Sequence, residues 1–273
     1  MTTLPLVILL DMDNTMVGSS EAQVCRYEIA KFSKQKHDVK KLMADLDNGL
    51  LRPYFESFVK FITTKHNNVE LYVFTAAETK WAHVMINAIE RQLNIKFNRP
   101  IFPREYCTNE NGVLKKNIAK LMPIIYRKLK SKYRLTHISQ LKKQIVLIDN
   151  SMVIGANDAH RFVMCPSYYH SVPCNVLEGI PENVIRDHMS TVVTVLQKYG
   201  FMTGVSVSSL DVCKFLSLYY AWLAELYHAN ASQINRNRKD LDTFWFRMEK
   251  IFRNHHIKSF SGKVVTYINK NVT

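Results

Sequence analysis

The amino-acid sequence predicts an α/β protein whose parallel sheet is flanked by helices, with a helical appendage near its C-terminal end. Strand-like and helix-like stretches alternate between about residues 5 and 110. The first strand-like run, 6–10, is apolar at every position, which is typical of a strand buried on both faces of a parallel sheet. Asp11 and Asp13 follow it, at the edge where open sheets of this kind bind ligands.

Helices and a second strand are predicted after these carboxylates. A polar stretch over 21–47 has helical character and closes with an Asn-Gly turn. A helix is predicted over 53–63 because apolar residues recur there at helical spacing. The run 69–74 predicts a second strand, which ends at Thr75, and a further helix begins near Glu78.

The middle of the chain is strongly basic. Between Glu110 and Asp149 there is no acidic residue. The basic residues of this stretch are Lys115, Lys116, Lys120, Arg127, Lys128, Lys130, Lys132, Arg134, Lys142 and Lys143. The apolar run 145–148 then predicts a third strand, and it is followed by Asp149 and Asn150.

Helices are predicted for the remainder of the chain. Pro181 suits the first turn of a helix whose apolar stripe continues to Leu196. Ser209 can cap a second helix, and a third is predicted from Asp240.

Domain organisation is predicted from this pattern. We expect an α/β domain over 1–199 that carries a basic insertion at about 115–144, and a helical extension over 200–273. Trp222 and Trp245 lie at helical spacing within that extension and are expected to be core residues.

Composition favours an intracellular protein with polyanionic partners. The chain of 273 residues has 37 Lys and Arg against 23 Asp and Glu, a formal net charge of +14. That balance favours nucleic acid, phosphorylated protein or an anionic membrane surface. Five cysteines without a C-x-x-C pair indicate reduced thiols, and the N-terminal run lacks the pattern of a secretory signal. We therefore expect a cytoplasmic or nuclear protein. Its most apolar later segment, 212–227, contains Lys214 and Glu225 and does not suit a membrane span.

Three predicted strands deliver oxygen-bearing side chains to one sheet edge. The residues are Asp11 and Asp13, Thr75, and Asp149 and Asn150. Carboxylate and amide oxygens suit Mg²⁺ beside a phosphate. One carboxylate can attack phosphorus while a second moves the proton, and a hydroxyl and the ammonium of Lys116 can hold the transferring group.

The motifs together resemble one enzyme superfamily. The strings are "LDMDNT", with its D-x-D-x-T pattern, "RPYFESF", "VFTAAETKWA", "FPREYCTNENGVLKKNIAKL" and "VLIDNS". In this order they resemble the haloacid dehalogenase (HAD) superfamily, and more narrowly its FCP/SCP-type phosphatases. Those enzymes act on the phosphorylated tail of RNA polymerase II and related phosphoproteins. The resemblance spans about residues 5–199 and implies a Rossmann-like HAD fold.

The resemblance also implies roles for individual residues. Asp11 would be the nucleophile, and Asp13 the general acid and base. Thr75, Ala76 and Lys116 would bind the phosphoryl oxygens. Lys116, four residues after the glycine of "NENG", fits the family's lysine better than its neighbour Lys115 does.

A Mg²⁺ site is implied at the same position. Asp11, the backbone carbonyl of Asp13, Asp149 and Asn150 would hold the metal, with Asn150 the favoured direct ligand of the last pair. The presence of Asp13 argues against a dehalogenase, which needs neither Mg²⁺ nor that acid.

Departures from the family pattern bear on substrate choice. Asn14 and Met16 replace the usual Glu and Leu, and Met152 replaces the usual proline. The stretch before Arg52 is helical where the family has a small β insertion, and it is too short for a large cap domain. The basic segment is longer than the family's.

The sequence therefore predicts a Mg²⁺-dependent phosphomonoesterase acting through an aspartyl phosphate, most simply on phosphoserine or phosphothreonine in a protein. One alternative is a phosphatase of nucleic-acid ends or nucleotides, which the basic segment 115–143 would also serve. Another is a catalytically inactive scaffold that binds polyanions. Frequent Lys, Asn and Tyr suit an AT-rich genome, and members of the family occur in large DNA viruses as well as in cells.

Overall fold

Four parallel strands form the central sheet in the computed structural model, which describes residues 3–32, 38–206, 211–234 and 242–272. The strands are β1 (Leu6–Leu10), β2 (Val69–Val73), β5 (Ile145–Asp149) and β6 (Phe162–Met164). Their order in the sheet is β2-β1-β5-β6. The α/β prediction is therefore confirmed, although β6 is too short to give a sequence signal.

Burial on both faces of the sheet explains why the apolar runs of the two central strands, β1 and β5, are uninterrupted. Every residue of β1 and of β5 is buried. Leu10 is in register with Val73 on one side and with Ile148 on the other. Because the strands are parallel, the residues that follow them meet at one edge of the sheet.

Ten α-helices and a small hairpin accompany the sheet in the described part of the chain. The hairpin strands are β3 (Thr108–Glu110) and β4 (Val113–Lys115). The helices are α1 (Glu21–Phe32), α2 (Val39–Asp45), α3 (Phe55–Lys65), α4 (Thr79–Leu93), α5 (Ile118–Tyr133), α6 (Glu182–Asp187), α7 (Met189–Lys198), α8 (Val212–Ile234), α9 (Phe244–Asn254) and α10 (Gly262–Val272). Among the described helices, none combines the length and the apolarity needed to cross a bilayer.

The predicted helices differ from the observed ones mainly in the C-terminal third. The single helix expected from Pro181 is two helices, because His188 has a non-helical backbone (φ −121°, ψ 19°) between α6 and α7. The predicted starts at Ser209 and Asp240 lie outside the described residues. Helix α10 has no counterpart among the predicted elements.

The chain forms two compact units, each assembled from separate segments. The first contains the described residues of 1–18, 51–169 and 242–273, and the second those of 19–50 and 170–241. The boundary expected at 199 and 200 falls inside the second unit. The short stretch before Arg52 joins residues 170–241 in that unit and does not stand alone.

Each unit has its own hydrophobic packing. In the first, the ring of Trp245 on α9 packs against Phe55 and Phe58 on α3, at centroid distances of 5.0 and 4.8 Å. Trp245 is fully buried, as expected of a core residue. In the second, Cys25, Val193 and other apolar residues of α1, α7 and α8 form a separate cluster.

Candidate active site

A tight loop after β1 carries the first two carboxylates. The Met12 carbonyl accepts hydrogen bonds from the backbone N–H groups of Met16 and Val17, at 3.0 and 3.1 Å. This turn places both Asp11 and Asp13 on one cleft of about 710 Å³. Asp11 and Asp13, which are separated in the sequence only by Met12, therefore line the same cleft.

Lys116 enters this cleft from the segment that follows β4. Its N–H donates to the carbonyl of Val153 at 2.6 Å, which fixes the backbone against the loop after β5. The ammonium group is almost completely buried, with 2% of the side chain exposed. It donates to Asp11 Oδ1 and, at 2.6 Å, to Asp149 Oδ2. Lys116 therefore bridges two strand-end carboxylates.

Burial controls the ionisation of this group of side chains. Burial raises the pKa of Asp11 to about 7, despite the opposing charge of Lys116. For Lys116, burial alone would lower the pKa, but the Asp11 and Asp149 carboxylates outweigh it and raise the pKa above its ordinary value. Lys116 therefore carries its charge at neutral pH, and its ammonium favours the ionised form of Asp11.

Thr75 and Ala76 border the cleft two and three residues after β2 ends at Val73. The Thr75 N–H donates to the Phe102 carbonyl at 2.9 Å, and its hydroxyl oxygen accepts from the Ala77 N–H at 3.1 Å. With that acceptor role filled, the hydroxyl proton of Thr75 can turn towards a bound oxyanion. Ala76 and Ala77 continue the lining of the cleft.

Asp149 and Asn150 differ in what they offer to a ligand. Asp149 is fully buried, and its second oxygen accepts from the N–H and the hydroxyl of Ser151 at 2.8 and 3.0 Å. Asn150 lines the cleft, and its Oδ1 accepts from the Thr15 hydroxyl at 3.2 Å. Because Asp149 is already engaged by Lys116 and Ser151, Asn150 is the more accessible oxygen donor of the two.

The oxygen atoms at this edge fit a Mg²⁺ ion by their chemistry. Asp11, Asp13 and Asn150 all line the cleft, and hard oxygen donors are what Mg²⁺ prefers. A carbonyl oxygen has two lone pairs, so Asn150 can accept from Thr15 and still coordinate a cation. The described residues contain no group of three or more His, Cys, Asp or Glu side chains suited to a metal. The fit therefore depends on the amide and on backbone carbonyls.

The structure brings together every site residue that the sequence predicted, and it adds others. Arg104 lines the cleft, and its Nε donates to the Ala76 carbonyl at 2.7 Å. The hairpin residues Gly112, Val113 and Leu114 form another part of the lining. Arg104 lies in the "FPREYC" string, but a lone arginine there gave no signal of its own. Lys115, by contrast, belongs to β4, where its carbonyl accepts from the Thr108 hydroxyl at 3.3 Å.

The sequence matches a known family model over more than half of its length. The family model described as NLI interacting factor-like phosphatase matches residues 6–190. Fission yeast RNA polymerase II CTD phosphatase Fcp1, in an arginine variant bound to beryllium fluoride, is similar at 12% identity and a TM-score of 0.37, over 96% of this chain and 70% of that one. A phospho-aspartyl intermediate analogue of phosphoserine phosphatase is similar at 15% identity and a TM-score of 0.30, over 57% of this chain and 80% of that one. No curated protein matches the chain.

Proposed function

The chain belongs to the NLI interacting factor-like phosphatases of the HAD superfamily, and from that premise we propose that it hydrolyses phosphomonoesters through an aspartyl phosphate on Asp11, with Mg²⁺ bound beside it. The observation that carries this proposal is the position of Lys116, whose buried ammonium joins Asp11 to Asp149 in a cleft that Asp13 and Thr75 also line.

The first half-reaction uses the two carboxylates of the β1 loop. Asp11 attacks phosphorus and the bond from phosphorus to the leaving oxygen breaks, while Asp13 donates a proton to that oxygen. Lys116 and the Thr75 hydroxyl hold the phosphoryl oxygens, which reduces the cost of the negative charge in the transition state. A bound Mg²⁺, held by Asp11, Asn150 and the Asp13 carbonyl, would supply further charge neutralisation.

The second half-reaction restores the free enzyme. Asp13, now a carboxylate, removes a proton from a water molecule that attacks phosphorus, and the bond between phosphorus and Asp11 breaks. Splitting hydrolysis into two displacements at one site requires both carboxylates to reach the same phosphoryl group. Their placement one residue apart on the cleft supports this division of roles.

The proposal is tested by hydrolysis of a generic aryl phosphate with Mg²⁺ and with EDTA. We expect turnover with Mg²⁺ that falls at least about 10³-fold in Asp11→Asn and in EDTA. Asp187→Asn, a change of the same kind at an exposed position on α6, serves as the matched control and should keep full activity. Turnover that survives Asp11→Asn would rule out the aspartyl phosphate. Absence of turnover in the parent protein would favour a scaffold with a phosphatase fold.

The proposed substrate is a phosphorylated serine or threonine in a protein. Substrates of the three candidate types can be compared at equal concentration: phosphopeptides, 5′- or 3′-phosphorylated oligonucleotides, and mononucleotides. A preference for phosphopeptides supports a protein phosphatase, and a preference for oligonucleotides supports the alternative enzyme. The cytoplasmic or nuclear location and the viral source stay predictions from the sequence.

A further inference from the structure

The outer side of α5 and the segment after it carry a set of exposed cations, here named the basic face. Its members, all exposed, are Lys120, Arg127, Lys128, Lys130, Arg134, Lys142 and Lys143. The opposite side of α5 is buried in the first unit's core through Leu121, Ile125, Leu129 and Tyr133. The helix is therefore anchored by its apolar side while it presents its charges to solvent.

Carboxylates do not neutralise the basic face. Between Glu110 and Asp149 the sequence has no acidic residue. Within the parts of the chain that the structure describes, no carboxylate forms an ion pair with any member of the basic face. Lys132, which is not a member, pairs with Glu70 at 2.6 Å. A cluster of this size attracts an anionic partner over several ångströms.

The basic face begins at the active-site cleft. Helix α5 starts two residues after Lys116. The Lys120 ammonium donates to the carbonyl of Cys107 at 3.3 Å, and Cys107 lines the cleft. Lys120, Arg127 and Arg134 follow at seven-residue intervals, so successive charges lie about 10 Å apart along one side of the helix. A bound polymer that places one phosphate in the cleft can therefore extend along the charged side of α5.

We propose that the basic face docks an acidic or multiply phosphorylated polypeptide segment that flanks the phosphoresidue in the cleft. This inference rests on the proposed phosphatase function and names its substrate class. Surfaces for single-stranded nucleic acid combine charge with exposed aromatic rings on which bases stack. Tyr126, the aromatic residue on this side of α5, is half-buried, with the Lys130 ammonium 6.0 Å from the centre of its ring. A polypeptide fits this surface better than a nucleic acid does.

The test combines Arg127→Gln, Lys128→Gln and Arg134→Gln in one variant. Its matched control removes three exposed charges elsewhere, on α3 and α9, through Lys60→Gln, Lys65→Gln and Lys250→Gln. The probes are two phosphoserine peptides that differ only in flanking charge, one acidic and one neutral. Kinetics are measured with both peptides and with an aryl phosphate. Binding of labelled peptides is measured separately by fluorescence anisotropy at two salt concentrations.

We expect kcat/KM and affinity for the acidic peptide to fall about 10-fold in the triple variant, with the loss in KM and with weaker salt dependence. The neutral peptide, the aryl phosphate and the control variant should change less than about twofold. Equal losses for both peptides would overturn the proposal. So would a labelled single-stranded oligonucleotide that binds the basic face more tightly than the acidic peptide. Anisotropy tests binding of the acidic peptide to the basic face even if the protein hydrolyses none of the substrates.

A second, independent inference concerns the support of the β1 loop by the segment that begins at Asp242. The Arg52 side chain is 1% exposed, and its Nε donates to Asp242 Oδ2 at 2.9 Å. Its Nη1 lies 3.4 Å from each of the carbonyl oxygens of Asn14 and Thr15, directly after Asp13. Arg52 therefore connects the start of the C-terminal segment to the backbone of the catalytic loop.

Trp245 makes a second connection to the same loop. Its indole Nε1 donates to the Thr15 carbonyl at 3.2 Å. The hydroxyl of Thr15 in turn donates to Asn150 Oδ1 and accepts from the Asn150 N–H at 3.1 Å. Thr15 is thus held at its carbonyl by Trp245 and Arg52, and at its hydroxyl by the loop after β5.

We infer that Asp242 and Trp245 are positioning residues, which hold the β1 loop and Asn150 in the arrangement that catalysis needs. This inference also rests on the proposed function. Trp245→Phe keeps the ring in the core but removes the N–H, and Asp242→Asn removes the charge that faces Arg52. Trp222→Phe, in the second unit, is the matched control. We expect kcat to fall about 10-fold in the two test variants with KM within about twofold, because binding groups stay in place.

A measurement that needs no turnover accompanies the kinetics. In two-dimensional amide NMR spectra, Trp245→Phe should shift the resonances of residues 13–16 and of the Asn150 side chain, and Trp222→Phe should not. Unshifted resonances at Asn150 would overturn the inference. An unchanged kcat in an active enzyme would do the same, as would a fall in kcat that merely follows a loss of folded protein.

Discussion

At the residue scale, the ionised state of Lys116 is the feature on which the candidate site depends. A buried ammonium is stable only beside compensating charge, and here two carboxylates supply it. The same arrangement keeps the Asp11 carboxylate close to a cation before any substrate binds. The side chain that compensates two buried carboxylates is therefore also the one proposed to bind the phosphoryl group.

Replacing Lys116 by Met should affect both stability and activity. The change leaves Asp11 and Asp149 buried without their cation, so we expect the free energy of unfolding to fall by about 3–5 kcal/mol. Activity should fall about 10²–10³-fold, because one donor to the phosphoryl group is lost. Thermal unfolding and aryl phosphate hydrolysis measure the two effects. Lys115→Met is the adjacent control. If it proved as damaging as the change at Lys116, the lysine would be misassigned.

Most candidate site residues could be predicted because they follow strands. The apolar runs before Asp11, Thr75 and Asp149 are visible in the sequence, and parallel strands bring their ends together. Arg104 could not be predicted in the same way. It lies in a single 3₁₀ turn, Arg104–Tyr106, and its place depends on the Ala76 and Ala77 carbonyls to which it donates.

At the element scale, the β3-β4 hairpin controls how Lys116 enters the cleft. Its turn residues Asn111 and Gly112 both have positive φ, 53° and 80°. This pattern is typical of a two-residue type I′ hairpin turn, for which Asn-Gly is the preferred sequence. Because Lys116 directly follows β4, a change in the turn should be transmitted to the ammonium position.

Gly112→Val should therefore lower activity through backbone strain. A Cβ at Gly112 would meet no atom within 4 Å, so the cost comes only from the left-handed backbone, about 1–2 kcal/mol. We expect kcat/KM for an aryl phosphate to fall about 10-fold as the hairpin shifts. Gly155→Val is the control, since Gly155 is equally open but has an ordinary φ of −65°. Equal effects of the two changes would contradict this account of the turn.

Helix α4 and the loop after it are joined by a buried carboxylate. Glu90 accepts hydrogen bonds from the Phe97 N–H at 2.9 Å and from Arg99 at 2.8 and 3.0 Å. Burial alone would raise the pKa of Glu90, but these donors outweigh it and hold the pKa below its ordinary value of 4.5. The ionised form is therefore the one that stabilises the folded state.

This carboxylate should make stability depend on pH in one direction. A lowered pKa in the folded state means that Glu90 stabilises the fold above about pH 4.5, and that this contribution is lost as pH falls through the folded-state pKa. Glu90→Gln should lower the free energy of unfolding by about 2 kcal/mol at pH 7. The difference from the parent should shrink below pH 4.5. Urea unfolding across pH measures it, with the exposed Glu56→Gln as control. A difference that grows on acidification would refute the assignment.

Element types were easier to predict than their boundaries. The helices α3 and α4 could be predicted because each buries one clear apolar stripe. The break at His188 could not be predicted, because the apolar stripe continues through α7 without an interruption in the sequence pattern. Strand β6 has three residues, too few to show a period.

At the scale of the whole molecule, the chain alternates between two compact units, with three segments in the first and two in the second. A prediction from sequence divides a chain at composition changes, and it cannot foresee that distant segments share a core. Trp245 illustrates this limit. Its helical spacing correctly predicted burial, but nothing local indicated that its neighbours are Phe55 and Phe58.

Each unit has its own apolar cluster. The loss of a buried hydrogen bond in one unit should therefore lower the local stability of that unit first. Tyr219 is fully buried in the second unit, where its hydroxyl accepts from the Val176 N–H at 3.0 Å and donates to Asn175 Oδ1 at 2.8 Å. Tyr219→Phe leaves that N–H buried without its acceptor, which costs about 1–3 kcal/mol.

Hydrogen exchange can show how far this loss spreads. Amides of α1, α7 and α8 should exchange faster in Tyr219→Phe, while amides of β1 and β5 should keep their protection, because local stability follows the contacts of each cooperative unit. Tyr220→Phe, at a neighbouring tyrosine that is half exposed, should leave both sets unchanged. Equal acceleration in the sheet would mean that the two units unfold as one. In that case, mutations in the second unit would affect the candidate active site only by lowering the stability of the whole fold.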